Sequence, residues 1–180
     1  MLHHPPHILL DDTWYQITAS TYQNRPVLAS PESKQLAGDL LQTLINEFGF
    51  RLKAWVILNN HYHLLLKSKR GVDLPLFIRR YHGRISFDLN RKENVRDRQV
   101  WHNYWDTCIR DEAGFWMRFN YIHHNPVKHG YVSRMEDWPY SSYNYYLKAK
   151  GAEWLADVLR RYPVVDFTDY FDRDFPNETG

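Results

Sequence analysis

The chain has one cysteine, eight glycines and no long apolar run among its 180 residues. Cys108 alone can form neither an internal disulfide nor a zinc site built on several cysteines. The uninterrupted apolar stretches are a few residues long, Leu64–Leu66 among them, too short to cross a bilayer. The opening Met1-Leu2-His3-His4-Pro5-Pro6-His7 lacks a basic start followed by an apolar segment, so no secretory leader and no membrane partner are expected, and the expected location is cytoplasmic. Disorder and low complexity are excluded as well, since apolar types make up 43% of the chain and aromatics 16%. What remains is a length suited to one domain with a real core.

The net charge of +2 is small but unevenly spread. From Lys67 to Arg98 ten Lys/Arg face four acids, a local charge of +6 that leaves −4 for the rest. From Gly151 onward seven acids face three bases. A basic middle beside an acidic end suggests a polyanion engaged by one region, or a simply solvated charged surface.

Residues 1–13 lack periodicity and read as a lightly packed lead-in. Trp14 to Ala19 reads as a strand. Ser30-Pro31 starts a helix whose apolar positions Leu36, Leu40, Leu44, Ile45 and Phe48 recur until Gly49. Phe50–Leu58 and His61–Lys67 read as strands about the turn Asn59-Asn60. After Gly71 a second helix carries Leu74, Phe77, Ile78, Tyr81, Ile85 and Leu89 on one stripe, with Arg80, Arg84 and Arg91 beside it. Val100–Arg110 reads as a fourth strand with Trp101, Asn103, Trp105, Thr107 and Ile109 on one face, and Cys108 as a buried small hydrophobe. A third helix follows from Glu112 to His124, ended by Pro126 and Gly130, and a short one is expected over Ala152–Arg161. The order β-α-β-β-α-β is the ferredoxin-like α+β plan, an antiparallel sheet with two helices on one face and the other face open. A domain over residues 14–146 and an acidic segment over 147–180 are the expected divisions.

The chemistry centres on His61-Tyr62-His63. Side chains two apart on a strand share a side, so both imidazoles can address one ion; half-exposed strand histidines are the plainer reading. Tyr121 and Asn125, one helical turn apart, form a polar rim that would face them if the third helix packs on the sheet. An ordinary core tyrosine and a helix-terminal cap are the alternatives there. Lys67, Lys69, Arg70, Arg80, Arg84, Arg110 and Lys128 are the cations suited to phosphates. Tyr140, Tyr143, Tyr145 and Tyr146 either stack bases or pack a terminal segment. His123 and His124 read as groups behind the site or as helix-end cations, and His3, His4 and His7 as an unstructured cluster.

Four blocks occur in a recognisable order: Asn60-His61-Tyr62-His63-Leu64-Leu65-Leu66, Ile109-Arg110-Asp111-Glu112, Tyr121 through Gly130, and Asp137-Trp138-Pro139-Tyr140-Ser141-Ser142-Tyr143. Together they resemble the REP-associated tyrosine transposases, relatives of the single-tyrosine HUH transposases of bacterial insertion sequences, over roughly Trp14 to Tyr146. The resemblance implies a metal-dependent endonuclease and strand transferase for single-stranded DNA that works through a 5′-phosphotyrosine. It casts Tyr121 as nucleophile, His61, His63 and Asn125 as ligands of Mg²⁺ or Mn²⁺, and hairpin-forming REP-like palindromes as substrate. The insertion-sequence relatives are dimers that exchange tyrosine helices; the REP-associated branch resembles monomers, so monomer and homodimer both stand. A non-cleaving binder of structured nucleic acid on the same fold is the alternative function.

Overall fold

A computed structural model of the chain describes residues 8–167; His3, His4, His7 and the acidic residues beyond Phe167 lie outside it. Four strands, β1 (Trp14–Thr21), β2 (Arg51–Ile57), β3 (His61–Lys67) and β4 (Trp101–Ile109), form one antiparallel sheet in the order β2-β3-β1-β4. Helices α1 (Pro31–Phe48) and α2 (Leu74–Lys92) provide the two crossovers, completing the ferredoxin-like order. Helix α1 begins as its residues dictate. The Ser30 side chain accepts from Ser33 N–H, Pro31 occupies the first turn, and Gly49 closes the helix with φ of +63°.

One face of the sheet is the main core. Tyr15, Ile17 and Ala19 of β1 and Tyr62, Leu64 and Leu66 of β3 are fully buried there against α1 and α2. All six apolar positions of the α2 stripe are buried in the same cluster. Each such side chain contributes roughly 1.5–3 kcal/mol of apolar burial.

The opposite face is not open. Helix α3 (Glu112–Lys128) packs over β2 and β3, backed by α4 (Tyr143–Lys150) and α5 (Ala152–Arg161). Ala54, Val56 and Leu65 from the sheet meet Phe119 and Ile122 from α3, with Leu155 and Val158 from α5 in the same buried cluster. The segment before α4 also covers the free edge of β2: Ile57 N–H donates to Tyr140 O and Ser142 N–H to Trp55 O. The tyrosine-rich stretch therefore serves packing. Tyr146 is buried, and its hydroxyl donates to Lys53 O at 2.6 Å; only Tyr145 projects, at 68% exposure.

Four expectations need correction. Helix α3 does not stop before Pro126 but runs through it to Lys128. The missing proline N–H costs one backbone bond, and the last turn is closed instead by His129 N–H to Asn125 O and Tyr131 N–H to Pro126 O, with Gly130 at φ of +70°. Strand β4 does not keep one face throughout, because a register shift opposite Ala19–Thr21 turns Trp101 into the main core, where it stacks on His82 at 4.3 Å. Cys108 is only partly buried. The lead-in, from Ile8, is docked rather than loose. Tyr15 Oη donates to Ile8 O, Ser68 Oγ donates to Leu10 O, and Gly71 lies so close to the Leu9–Leu10 backbone that a Cβ there would stand 2.5 Å from it.

Candidate active site

The side-chain alternation of β3 places His61 and His63 on the α3 face while Tyr62 enters the main core. Helix α3 crosses that face with Tyr121 and Asn125 on the side toward the strand. The result is one cluster within one chain. The Tyr121 ring stands edge-on to His63 at 5.4 Å between centroids, and the two imidazoles stand 5.1 Å apart. Asn125 stands against both imidazoles. His63, Tyr121 and Asn125 are buried at 4%, 5% and 0% exposure. Asn125 is thus an interior helical residue rather than a terminal cap.

Burial sets the charge state of the imidazoles. It pushes His61 down to about 3, with nearby His129 adding to the effect, and holds His63 well below the usual histidine range. Both rings are therefore neutral at neutral pH and can donate lone pairs. The Nδ1 of His61 lies 2.7 Å from Asn60 Oδ1, and the Nδ1 of His63 lies 2.8 Å from Thr18 Oγ1. Asn125 Nδ2 donates to Tyr121 O at 3.1 Å, whereas its buried Oδ1 has no hydrogen-bond partner. Such an oxygen is costly to bury unless a ligand completes it. An unsatisfied amide oxygen beside two neutral imidazoles fits a divalent cation with open coordination positions. Among the described residues no group of three or more His, Cys, Asp or Glu is placed to hold a metal ion.

The expected cations separate into two sets. Lys128, at the end of α3, holds its Nζ 5.4 Å over the Tyr121 ring and 2.9 Å from Asp166. Phe167 meets the same tyrosine ring edge-on at 5.4 Å and lies under the Arg118 guanidinium at 4.4 Å. Arg80 and Arg84 lie on α2, behind the sheet from the histidines, and pair with Glu47 and Asp88. Lys67 and Arg70 pair with Asp12 and Asp73. Lys69 and Arg110 are exposed near the ends of β3 and β4.

Several residues at the site escaped the motif reading. Thr18 and Ser20 face it from β1, Ser20 directly opposite His61 and with its buried hydroxyl unpartnered. The polar alternation Gln16-x-Thr18-x-Ser20 was their only signal. His129 meets His61 edge-on at 4.8 Å. His123 is buried behind the tyrosine and shares a 2.7 Å bond with Ser142 Oγ, which fixes α3 to the β2 edge; it is no helix-end cation.

The fold and site define an α+β protein in which a helix-borne tyrosine confronts a paired-histidine strand from the same chain. Residues 10–125 match the family described as Transposase IS200 like, and the chain belongs to that family. A REP-associated tyrosine transposase of Escherichia coli is 27% identical over 157 residues, covering 81% of this chain and 86% of that protein. A Haemophilus influenzae protein of the same group is 33% identical over 120 residues, or 57% of this chain. That match spans 64% of the Haemophilus protein, just under two thirds of its length. A solved structure of a REP-associated tyrosine transposase bound to a REP hairpin shares the fold, with a TM-score of 0.69 at 22% identity over 83% of this chain and 87% of that one. Among the described residues no helix is long and apolar enough to cross a membrane.

Proposed function

We propose that this protein cleaves and rejoins single-stranded DNA beside a REP-like hairpin, with Tyr121 as nucleophile and His61, His63 and Asn125 holding Mg²⁺ or Mn²⁺. The observation that carries this reading is the buried Asn125 amide, its Oδ1 lacking a hydrogen bond of normal geometry, set against two neutral imidazoles and on the helix that brings a tyrosine ring to them. The ion would neutralise phosphate charge and stabilise the leaving oxyanion. Tyr121 Oη attacks phosphorus and its proton leaves to solvent, while the P–O3′ bond breaks and the departing 3′ oxygen takes a proton from solvent. The products are a 5′-phosphotyrosine and a free 3′-hydroxyl. Because the phosphoester survives on the protein, a second 3′-hydroxyl can reverse the step without ATP. Burial of the tyrosine ring keeps water from competing for that bond. Lys128 supplies positive charge next to the phenol, where a phosphate must arrive.

The test is a labelled hairpin with single-stranded flanks, incubated with Mn²⁺ and run on a denaturing gel. A covalent protein–DNA adduct is expected, and Tyr121→Phe should abolish it. An adduct that persists in Tyr121→Phe overturns the nucleophile. Hairpin binding that tolerates chelator, with no adduct, supports the non-cleaving binder instead.

A further inference from the structure

We infer that Asn60 and Thr18 are positioning residues that lock His61 and His63 as tautomers protonated on Nδ1, leaving both Nε2 lone pairs for the cation. The inference rests on the metal-ligand reading above, but not on DNA chemistry. A neutral imidazole carries one N–H, and the partner of one nitrogen decides where it sits. For His61 the partner is unambiguous. Asn60 Nδ2 donates to the backbone carbonyl of Asn24 at 3.3 Å, which orients the amide and turns its Oδ1 toward the ring. An amide oxygen can only accept, so the proton lies on Nδ1 and Nε2 is bare.

For His63 the Thr18 hydroxyl engages Nδ1, which leaves Nε2 as the nitrogen for the cation, and it is bare where the hydroxyl accepts. One N–H of Asn125 Nδ2 donates to Tyr121 O, and the Oδ1 of the same amide makes no hydrogen bond of normal geometry. With both Nε2 atoms bare, the two imidazoles and the nearby Asn125 Oδ1 form a set of acceptors that a cation would complete. Thr18 and Asn60 sit on different elements, β1 and the β2–β3 turn, so the two rings are held independently. Partners of this kind typically alter metal affinity by about 10–100-fold when removed.

The experiment uses the full metal-free chain labelled with ¹⁵N-histidine, with long-range ¹H–¹⁵N correlations reporting which ring nitrogen bears the proton. Both His61 and His63 should show protonated Nδ1 and bare Nε2. In Thr18→Val the His63 pattern should become mixed, and Mn²⁺ affinity measured by electron paramagnetic resonance should fall about 10–100-fold. Thr18→Ser, which keeps the hydroxyl, should restore both readouts, and Asn60→Ala should act likewise through His61. Native rings protonated on Nε2 overturn the inference, as do Thr18→Val and Asn60→Ala proteins that bind Mn²⁺ as the native chain does. Should Thr18→Val fail to fold, the native spectrum and Asn60→Ala still decide. Correct tautomers and Mn²⁺ binding without a DNA adduct would uphold this inference while ending the nuclease reading.

Discussion

Along β3 the residues directed at α1 and α2 are Tyr62, Leu64 and Leu66, all fully buried among apolar side chains, whereas those directed at α3 begin with His61 and His63. The same strand thus serves a packed core on one side and a polar cluster on the other. On the core side Tyr62 Oη and His82 Nε2 share a 2.8 Å bond and Tyr81 Oη donates to Ala37 O, while Trp101 Nε1 is buried without a partner. On the α3 side Asn125 Oδ1 and Ser20 Oγ are buried without partners. On the α3 side the deficit lies beside two neutral imidazoles, where a ligand could complete it, and this underlies the proposed division between a stabilising face and an acting one.

Substitutions on neighbouring residues should split along this line. His63→Ala should cut adduct formation by on the order of 10³-fold, the loss of several kcal/mol of charge stabilisation, while leaving the melting transition near that of the native protein. Tyr62→Ala, one residue away, should instead cost about 3–5 kcal/mol of stability in denaturant titrations, since it empties a fully buried aromatic site. If His63→Ala proves the more destabilising of the two, the division of labour between the faces is wrong.

Acid should sharpen the comparison from the core side. Burial among Tyr62, Tyr81 and Trp101 pushes His82 down to about 3. A base with a depressed folded pKa binds its proton mainly in the unfolded chain, so its contribution is intact above about pH 6.5 and is lost as pH falls toward 3. Between pH 6.5 and 5 the loss from this group should be about 2 kcal/mol, and His82→Phe should make that part of the profile shallower by about that much, the remaining slope coming from His61, His63 and His123, which burial depresses in the same way. An unchanged profile in the variant would remove His82 from the account.

The smallest effect expected is at the mouth of the α3 face. The Lys128–Asp166 pair and the Tyr121–Phe167 contact place the acidic end of the described chain over the phenol and its nearest cation. We propose that this segment competes with DNA phosphate. A cut near residue 150 would test this poorly, because Leu155 and Val158 are buried and Asn120 Nδ2 donates to the carbonyls of Val158 and Tyr162. Truncation after Tyr162, or Asp166→Asn with Phe167→Ala, is the cleaner change. It should raise hairpin affinity about fivefold, the worth of roughly 1 kcal/mol for an exposed pair, and the gain should shrink with salt. Unaltered affinity discards the competition.

The periodicities of 2 and 3.6 made the four strands and first two helices legible, because each buries one continuous stripe. The two strand histidines were legible as a pair for the same reason, and Tyr121 with Asn125 from their one-turn spacing. The extension of α3 was not: Pro126 signals a helix end locally, and only tertiary packing and the closing turn at Gly130 override it. The bulge in β4 was invisible because its cause is the pairing with β1, not anything within the strand. Thr18 and Ser20 were hidden likewise. They meet the histidines across a ladder whose register depends on two segments more than forty residues apart.

Strand β3 is bonded on both sides, to β2 and to β1. A one-residue slip would send the imidazoles into the apolar interior and a tyrosine toward the amide, and two ladders would have to break for it to happen. Amide exchange should therefore be slowest around His61–Leu66. Whatever would adjust to admit the proposed nucleic acid must come from the helix and tail above the strand, which makes the anvil fixed and the hammer adjustable.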